Sequence, residues 1–156
     1  MTTSDKGLDI IKRHEGFRSK PYLCPSGVPT IGYGNTFYQD GRKVTLQDKP
    51  ITEAEAAELM RDILKKFEKD IMRLVSVKLT QNQFDALVSF VYNVGVGSSN
   101  PNIKGGFTPS TLRKKINANP SDPTIAAEFA RWNKGGGKVL PGLVKRRKEE
   151  AELYFT

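Results

Sequence analysis

The apolar positions of this chain fall into two regimes. From Thr52 onward, Leu59, Ile63, Phe67, Ile71 and Leu74 recur nearly every fourth residue, which lays one apolar stripe along a helix. Thr52 and Glu55 supply the reciprocal Thr-x-x-Glu signal that starts such a helix. A second signal, Thr80-x-x-Gln83, opens a run containing Phe84, Leu87, Val88, Val91 and Val94, and Gly95 and Gly97 end it. Thr108-Pro109 and Asp122-Pro123 each read as an N-cap followed by proline at the first helical position, and a last helix is expected from about Pro141 to Tyr154. At the other end, residues 4–14 predict a helix with Ser4 as N-cap and Leu8, Ile11 and His14 on one face, weakened by Gly16 just past Glu15.

Between Pro21 and Lys49 helical spacing gives way to Pro, Gly, Asn and Asp with short β-prone pieces, Val28 to Tyr33 and Lys43 to Leu46. Asp40-Gly41, set between Phe37-Tyr38 and Val44, predicts a hairpin turn. The expected order is a helix, a small β region over about 15–50, a connecting helix over about 52–75 and a helical lobe over about 80–156. Together these make one α+β domain over residues 1–156. No internal repeat or low-complexity stretch interrupts it. The apolar stripes locate the scaffold, so the chemistry is to be sought in the irregular part.

A chain of 156 residues buries roughly two thirds of its unfolded surface and should fold without disulfides or metals. Cys24 is the only cysteine and His14 the only histidine. They allow no intramolecular disulfide, no Cys/His zinc set, and no Ser-His-Asp hydrolase unless His14 alone serves it. A G-x-S-x-G elbow is also missing, which leaves carboxylate chemistry and no expected cofactor. Charges at Asp5, Lys6, Asp9, Lys12 and Arg13 deny the first residues an apolar signal-peptide core. The longest apolar stretch, Phe84 to Val96, is broken by Asp85, Ser89 and Asn93 and is too short to span a bilayer. A soluble protein made in the cytoplasm is therefore expected. The net charge of +8 favours encounter with a polyanion, whether nucleic acid, an anionic membrane or a bacterial envelope, and charge alone does not choose.

The most unusual local segment is His14-Glu15-Gly16-Phe17, followed by Pro21-Tyr22-Leu23-Cys24-Pro25 and Pro29-Thr30-Ile31-Gly32-Tyr33-Gly34. It concentrates a carboxyl, a thiol and a hydroxyl at turns. At a helix end, the negative pole of the helix dipole and partial burial beside Phe17 both disfavour a charged carboxylate, the condition a general acid needs. Glu15, Cys24 and Thr30 have the spacing Glu, eight residues, Asp or Cys, five residues, Thr, and on that motif the chain resembles the phage lysozymes, glycoside hydrolase family 24. The likeness continues through Phe90-Val91-Tyr92-Asn93-Val94-Gly95, Phe107-Thr108-Pro109-Ser110-Thr111-Leu112, Arg131-Trp132 and Gly142-Leu143-Val144-Lys145-Arg146-Arg147, and covers nearly the whole chain.

The resemblance implies a lysozyme-like α+β fold and an endolysin that cleaves the bond between N-acetylmuramic acid and N-acetylglucosamine in peptidoglycan. Glu15 would protonate the glycosidic oxygen. Cys24 stands where relatives can carry an Asp that stabilises the transition state or activates water, and it could act as nucleophile, water-orienting group or charge alone. An unperturbed thiol is mostly protonated at neutral pH and lacks one of the carboxylate's two acceptor atoms. Thr30 would help to place the attacking water. Thr36, Tyr92, Thr111 and Gly142 fall at substrate-contact positions, though helix packing also explains Tyr92, and Gly142 would act through its backbone. The same resemblance implies a monomer that waits in the host cytoplasm for a holin-type helper.

Two motifs receive blander readings. Lys145-Arg146-Arg147-Lys148 is followed by Glu149, Glu150 and Glu152, and i to i+4 pairing makes a solvated helix face, with Arg146 or Arg147 available as a brace for the active-site helix. Gly135-Gly136-Gly137 lacks the context of a phosphate loop and reads as a flexible loop. The competing functions are a nucleic-acid-binding module, against which the basic residues are spread and the aromatics follow core periodicity, and a non-enzymatic envelope-permeabilising protein.

Overall fold

The computed structural model describes residues 1–156. Its elements are α1 (Asp5–Glu15), β1 (Arg18–Leu23), β2 (Pro29–Gly32), α2 (Glu53–Leu74), α3 (Gln81–Val94), α4 (Thr111–Ala118), α5 (Ile125–Ala130), β3 (Lys134–Gly135), β4 (Lys138–Val139) and α6 (Pro141–Tyr154). This is the α+β class expected, with most of the helix in the second half. The chain divides into two compact units, residues 12–66 and residues 1–11 with 67–156.

In the unit of residues 12–66, β1 and β2 pair antiparallel, with Tyr22 opposite Thr30 and Leu23 opposite Pro29. Sheet formation begins at Arg18, before the Pro21 at which the sequence pattern changes. The Asp40-Gly41 turn forms as expected, closed by Tyr38 N–H to Arg42 O at 2.9 Å. Its ladder is a single bridge between Phe37 and Lys43, so Lys43 to Leu46 is not a strand. Asp48 holds this turn instead, accepting from Tyr38 Oη at 2.7 Å, Thr45 N at 2.8 Å and Arg42 Nη1 at 3.1 Å. Ile31, Val44 and Leu59 form a small buried core, packed by Tyr38, Ile51 and Ile63. Ile51 N–H donates to Ser19 O at 2.9 Å. The Thr52/Glu55 box closes in both directions at 3.1 and 3.2 Å and starts α2.

The other unit is built around α3. Its Thr80/Gln83 box is complete, and Gly95 donates to Val91 O at the far end. The Phe90 ring meets Phe107, Phe129 and Trp132 edge-on at 5.5 to 6.2 Å between centroids, an arrangement aromatic quadrupoles favour. The polar residues that interrupt α3's apolar run have structural work. Asp85, fully buried, takes the N–H and hydroxyl of Ser4, the residue just before α1. Ser89 donates to Glu150 of α6 at 2.5 Å.

Three expectations are corrected here. The cap of α4 is Ser110, whose hydroxyl accepts from Arg113 N, while Thr108 is turned to Val96 O at 2.7 Å. Asp122 likewise precedes α5 by a turn and accepts from Thr124 N at 2.8 Å, so in both cases the proline lies in the approach to the helix. Gly135-Gly136-Gly137 is not a loose loop but the turn of the β3–β4 hairpin: Gly135 pairs with Lys138, and Gly136 and Gly137 take φ of 58° and 79°, the two positive values a two-residue type I′ turn requires.

On α6 the basic run forms its i to i+4 pairs, Lys145 with Glu149 and Arg146 with Glu150, but it is not the solvated face expected. Lys145 pairs loosely with Glu149 at 4.0 Å on the surface, but Arg146 and Arg147 are 3% and 1% exposed. They enclose Glu150, with Arg146 Nε to Oε2 at 3.3 Å and Arg147 Nε to Oε1 at 2.6 Å. Arg146 also donates to Ser89 O at 3.1 Å, and the Arg147 guanidinium lies 5.1 Å from the Phe90 ring centre. Four consecutive cations cannot all lie on one helix face, so the helix turns two of them inward, where Glu150 at i+4 and i+3 meets both.

Candidate active site

Glu15 is the last residue of α1 and half-buried. Gly16 ends the helix there, donating to Lys12 O at 2.9 Å with φ of 72°. Phe17, 37% exposed, leans its ring on Tyr33, 5.7 Å between centroids. Gly34 is a close neighbour of the Glu15 carboxyl. A Cβ at that position would stand 3.0 Å from Glu15 Oε2, so the glycine leaves the space that the carboxylate occupies. Gly34 also has φ of 82°, a conformation that side chains resist.

The loop carrying Gly34 is held at both ends. Ile31 and Asn35 exchange backbone hydrogen bonds at 2.9 Å, and Tyr33, buried, donates its hydroxyl to Glu53 at 3.0 Å. Gly34→Ala is expected to cost only about 1–2 kcal/mol of stability, from the left-handed backbone. It should lower any Glu15-dependent activity by roughly a hundredfold, because the flexible end of Glu15 is what yields to the new methyl and misplacement of about 1 Å is that costly. A melting curve paired with an activity measurement separates the two effects; full activity would show that the Gly34 contact does not position Glu15.

Cys24 and Thr30 sit on the β1–β2 hairpin. Pro25 presets its turn, which is closed by Gly27 N–H to Cys24 O at 2.8 Å and Cys24 N–H to Val28 O at 3.1 Å. The turn brings the Ser26 hydroxyl 2.9 Å from Cys24 Sγ. That contact, followed by the Val28 backbone, holds the thiol down to about 7. The Cys24 thiol therefore ionises more readily than an unperturbed one. Thr30 is 3% exposed and donates its hydroxyl proton to Val28 O at 2.8 Å, so the oxygen is fixed with its lone pairs available as acceptors.

Glu15, Cys24, Thr30 and Thr36 all belong to the unit of residues 12–66. Thr36 is half-buried, and its carbonyl accepts from Val44 N at 2.9 Å. The remaining three belong to the other unit. Tyr92 meets Phe67 edge-on at 5.9 Å, which accords with its packing reading. Thr111 opens α4 and lines a cavity of about 740 Å³, and Gly142, exposed near the start of α6, does not line it. Ser26 and Gly34 escaped the sequence reading as functional residues; both lie inside the quoted segments, but nothing in their spacing says which atom each would meet. No group of three or more His, Cys, Asp or Glu side chains is placed to hold a metal ion.

The family model described as phage lysozyme matches residues 12–150. The endolysin of Bacillus phage B103 is 40% identical over 100% of this chain, which spans only 55% of that relative's length. The endolysin of Salmonella phage P22 is 36% identical over 100% of this chain and 99% of its own. Among solved structures, an endolysin from Escherichia coli O157:H7 phage FAHEc1 superposes with a TM-score of 0.84 at 35% identity, covering 99% of this chain and 93% of that one. The fold is lysozyme-like, and the chain belongs to the phage lysozyme family.

Proposed function

We propose that this chain is an endolysin with muramidase activity, hydrolysing the β-1,4 bond between N-acetylmuramic acid and N-acetylglucosamine in bacterial peptidoglycan and so lysing the host cell. The observation that carries the reading is the Glu15 carboxylate seated against Gly34 within the same compact unit as the Cys24–Thr30 hairpin. Glu15 protonates the leaving glycosidic oxygen. Thr30, its proton committed to Val28 O, orients the attacking water through a lone pair. Cys24 acts as thiolate, supplying the negative charge that stabilises the oxocarbenium-like transition state. Thr36, Tyr92, Thr111 and Gly142 contact the glycan. No helix is long and apolar enough to cross a membrane, and we assign the chain a monomeric, cytoplasmic existence before release by a separate membrane-opening protein of the holin type.

Clearing of purified peptidoglycan with release of new reducing ends tests the activity, and glycan left intact after prolonged incubation would sink it. The role of Cys24 has its own test in pH. Its thiol is depressed to about 7, so the thiolate forms as pH rises through that value and activity should climb with it. Cys24→Asp removes this limb, because an aspartate is already ionised there. Cys24→Ser should be nearly inactive at every pH; a fully active Ser variant would show the thiolate to be irrelevant.

A further inference from the structure

The charge of the larger unit is unevenly placed. Residues 98–140 hold seven basic and two acidic residues, whereas residues 1–11, 67–97 and 141–156 hold eight of each. Both acids of the stretch are already committed. Glu128 pairs with Lys115 and Arg131 at 3.4 Å, and Asp122 accepts from Thr124. Lys104, Lys114, Lys134 and Lys138 are exposed with no acid of their own stretch left to meet.

Several of these cations surround the cavity of about 740 Å³. Lys104, Lys114 and Arg131 line it together with Ser98, Ser99 and Trp132. One wall is the loop before α4, whose closing end is fixed by Phe107 N–H to Gly95 O at 3.0 Å and by the Thr108 amide and hydroxyl to Val96 O, both at 2.7 Å. The opposite wall is the end of α5. Lys134 and Lys138 continue the positive charge onto the β3–β4 hairpin.

We propose that this cavity and the adjoining hairpin form a docking surface for a phosphodiester polymer of the cell wall, of the poly(glycerol phosphate) type. A single carboxylate or phosphate needs two or three donors, whereas five exposed cations running from a cavity onto a hairpin match an anion that repeats. Lysines predominate, and a lysine serves a phosphate as a point charge without the planar geometry an arginine demands. The hydroxyls of Ser98 and Ser99 supply neutral donors between the charges. The surface deepens the endolysin reading, on which its biological setting rests, by adding retention on the wall to glycan cleavage. Its physical test is independent of catalysis.

The experiment is co-sedimentation of the wild type and of a Lys104→Gln/Lys114→Gln/Lys138→Gln variant with purified walls, before and after acid extraction of phosphodiester polymer. Competition by soluble poly(glycerol phosphate) and by duplex DNA of equal phosphate concentration accompanies it. We expect the wild type to bind intact walls at least tenfold more tightly than stripped ones, with affinity falling steeply as salt is raised, and the variant to lose that difference. Equal binding to intact and stripped walls would overturn the proposal, as would an undiminished preference in the variant. Competition by duplex DNA as strong as by the polymer would also overturn it, reducing the surface to unselective charge. Failure of the endolysin reading would show separately, as absence of cleavage on stripped peptidoglycan with wall binding intact.

Discussion

Glu15→Gln is expected to lower the rate of peptidoglycan clearing by about 10²–10⁴-fold with little change in melting temperature. The amide keeps the size and hydrogen-bonding reach of the acid, so it still fits the space left by Gly34, but it has no proton of usable acidity to give the leaving oxygen. The loss should fall on kcat more than on KM, because the proton is transferred only as the bond breaks. Glu15→Asp should recover little, since shortening the side chain withdraws the carboxyl from its seat at Gly34. A Gln variant that clears peptidoglycan within a few-fold of the wild type would remove Glu15 from the chemistry.

The largest effect on stability is expected at Glu150. Glu150→Gln should cost roughly 3–5 kcal/mol, because it leaves Arg146 and Arg147 buried with no compensating charge and weakens the partner of Ser89. For a chain of this size that lowers the melting temperature by roughly 10 °C. Ser89→Ala, which removes the hydrogen bond to Glu150 and the longer one from Arg146 but no charge, should cost about 1–2 kcal/mol. Replacing Arg146, Arg147 and Glu150 together by apolar residues of similar volume should restore most of the loss, since the ion cluster pays desolvation on all three charges. Thermal unfolding of the three variants settles the order; a Glu150→Gln protein as stable as the wild type would mean the cluster is not held by charge.

These sites also mark where the sequence stops being legible. Elements whose start or stop is written in neighbouring residues were readable: both capping boxes form, and α6 runs from Pro141 to Tyr154. What depended on distant partners was not. The Arg146-Arg147 pair has the local pattern of a surface run; Glu150 is a neighbour on the same helix, but the burial depends on α3, whose Ser89 meets both Arg146 and Glu150. The cap falls on Ser110 rather than Thr108 because the amide and hydroxyl of Thr108 tie the chain to Val96 O, twelve residues away, and the helix is entered only at Thr111. Ser4 stands where a cap is expected, but that its hydroxyl proton goes to Asp85 on α3 is not written in the neighbouring residues.

The candidate site divides the same way. The Glu15, Cys24, Thr30 spacing could be read directly because it is carried by short stretches of chain. The Gly34 seat and the Ser26 contact that lowers the Cys24 thiol depend on how a loop and a turn close in space. Neither a glycine in a β-prone stretch nor a serine after a proline announces such a role.

The central claim is tested most directly by the masses of the glycan fragments released from purified peptidoglycan. Hydrolysis aided by Glu15 and a water held at Thr30 predicts fragments ending in reducing N-acetylmuramic acid, each carrying the elements of one water. Fragments lighter by that water, ending in an anhydro sugar, or cuts confined to the peptide would contradict it.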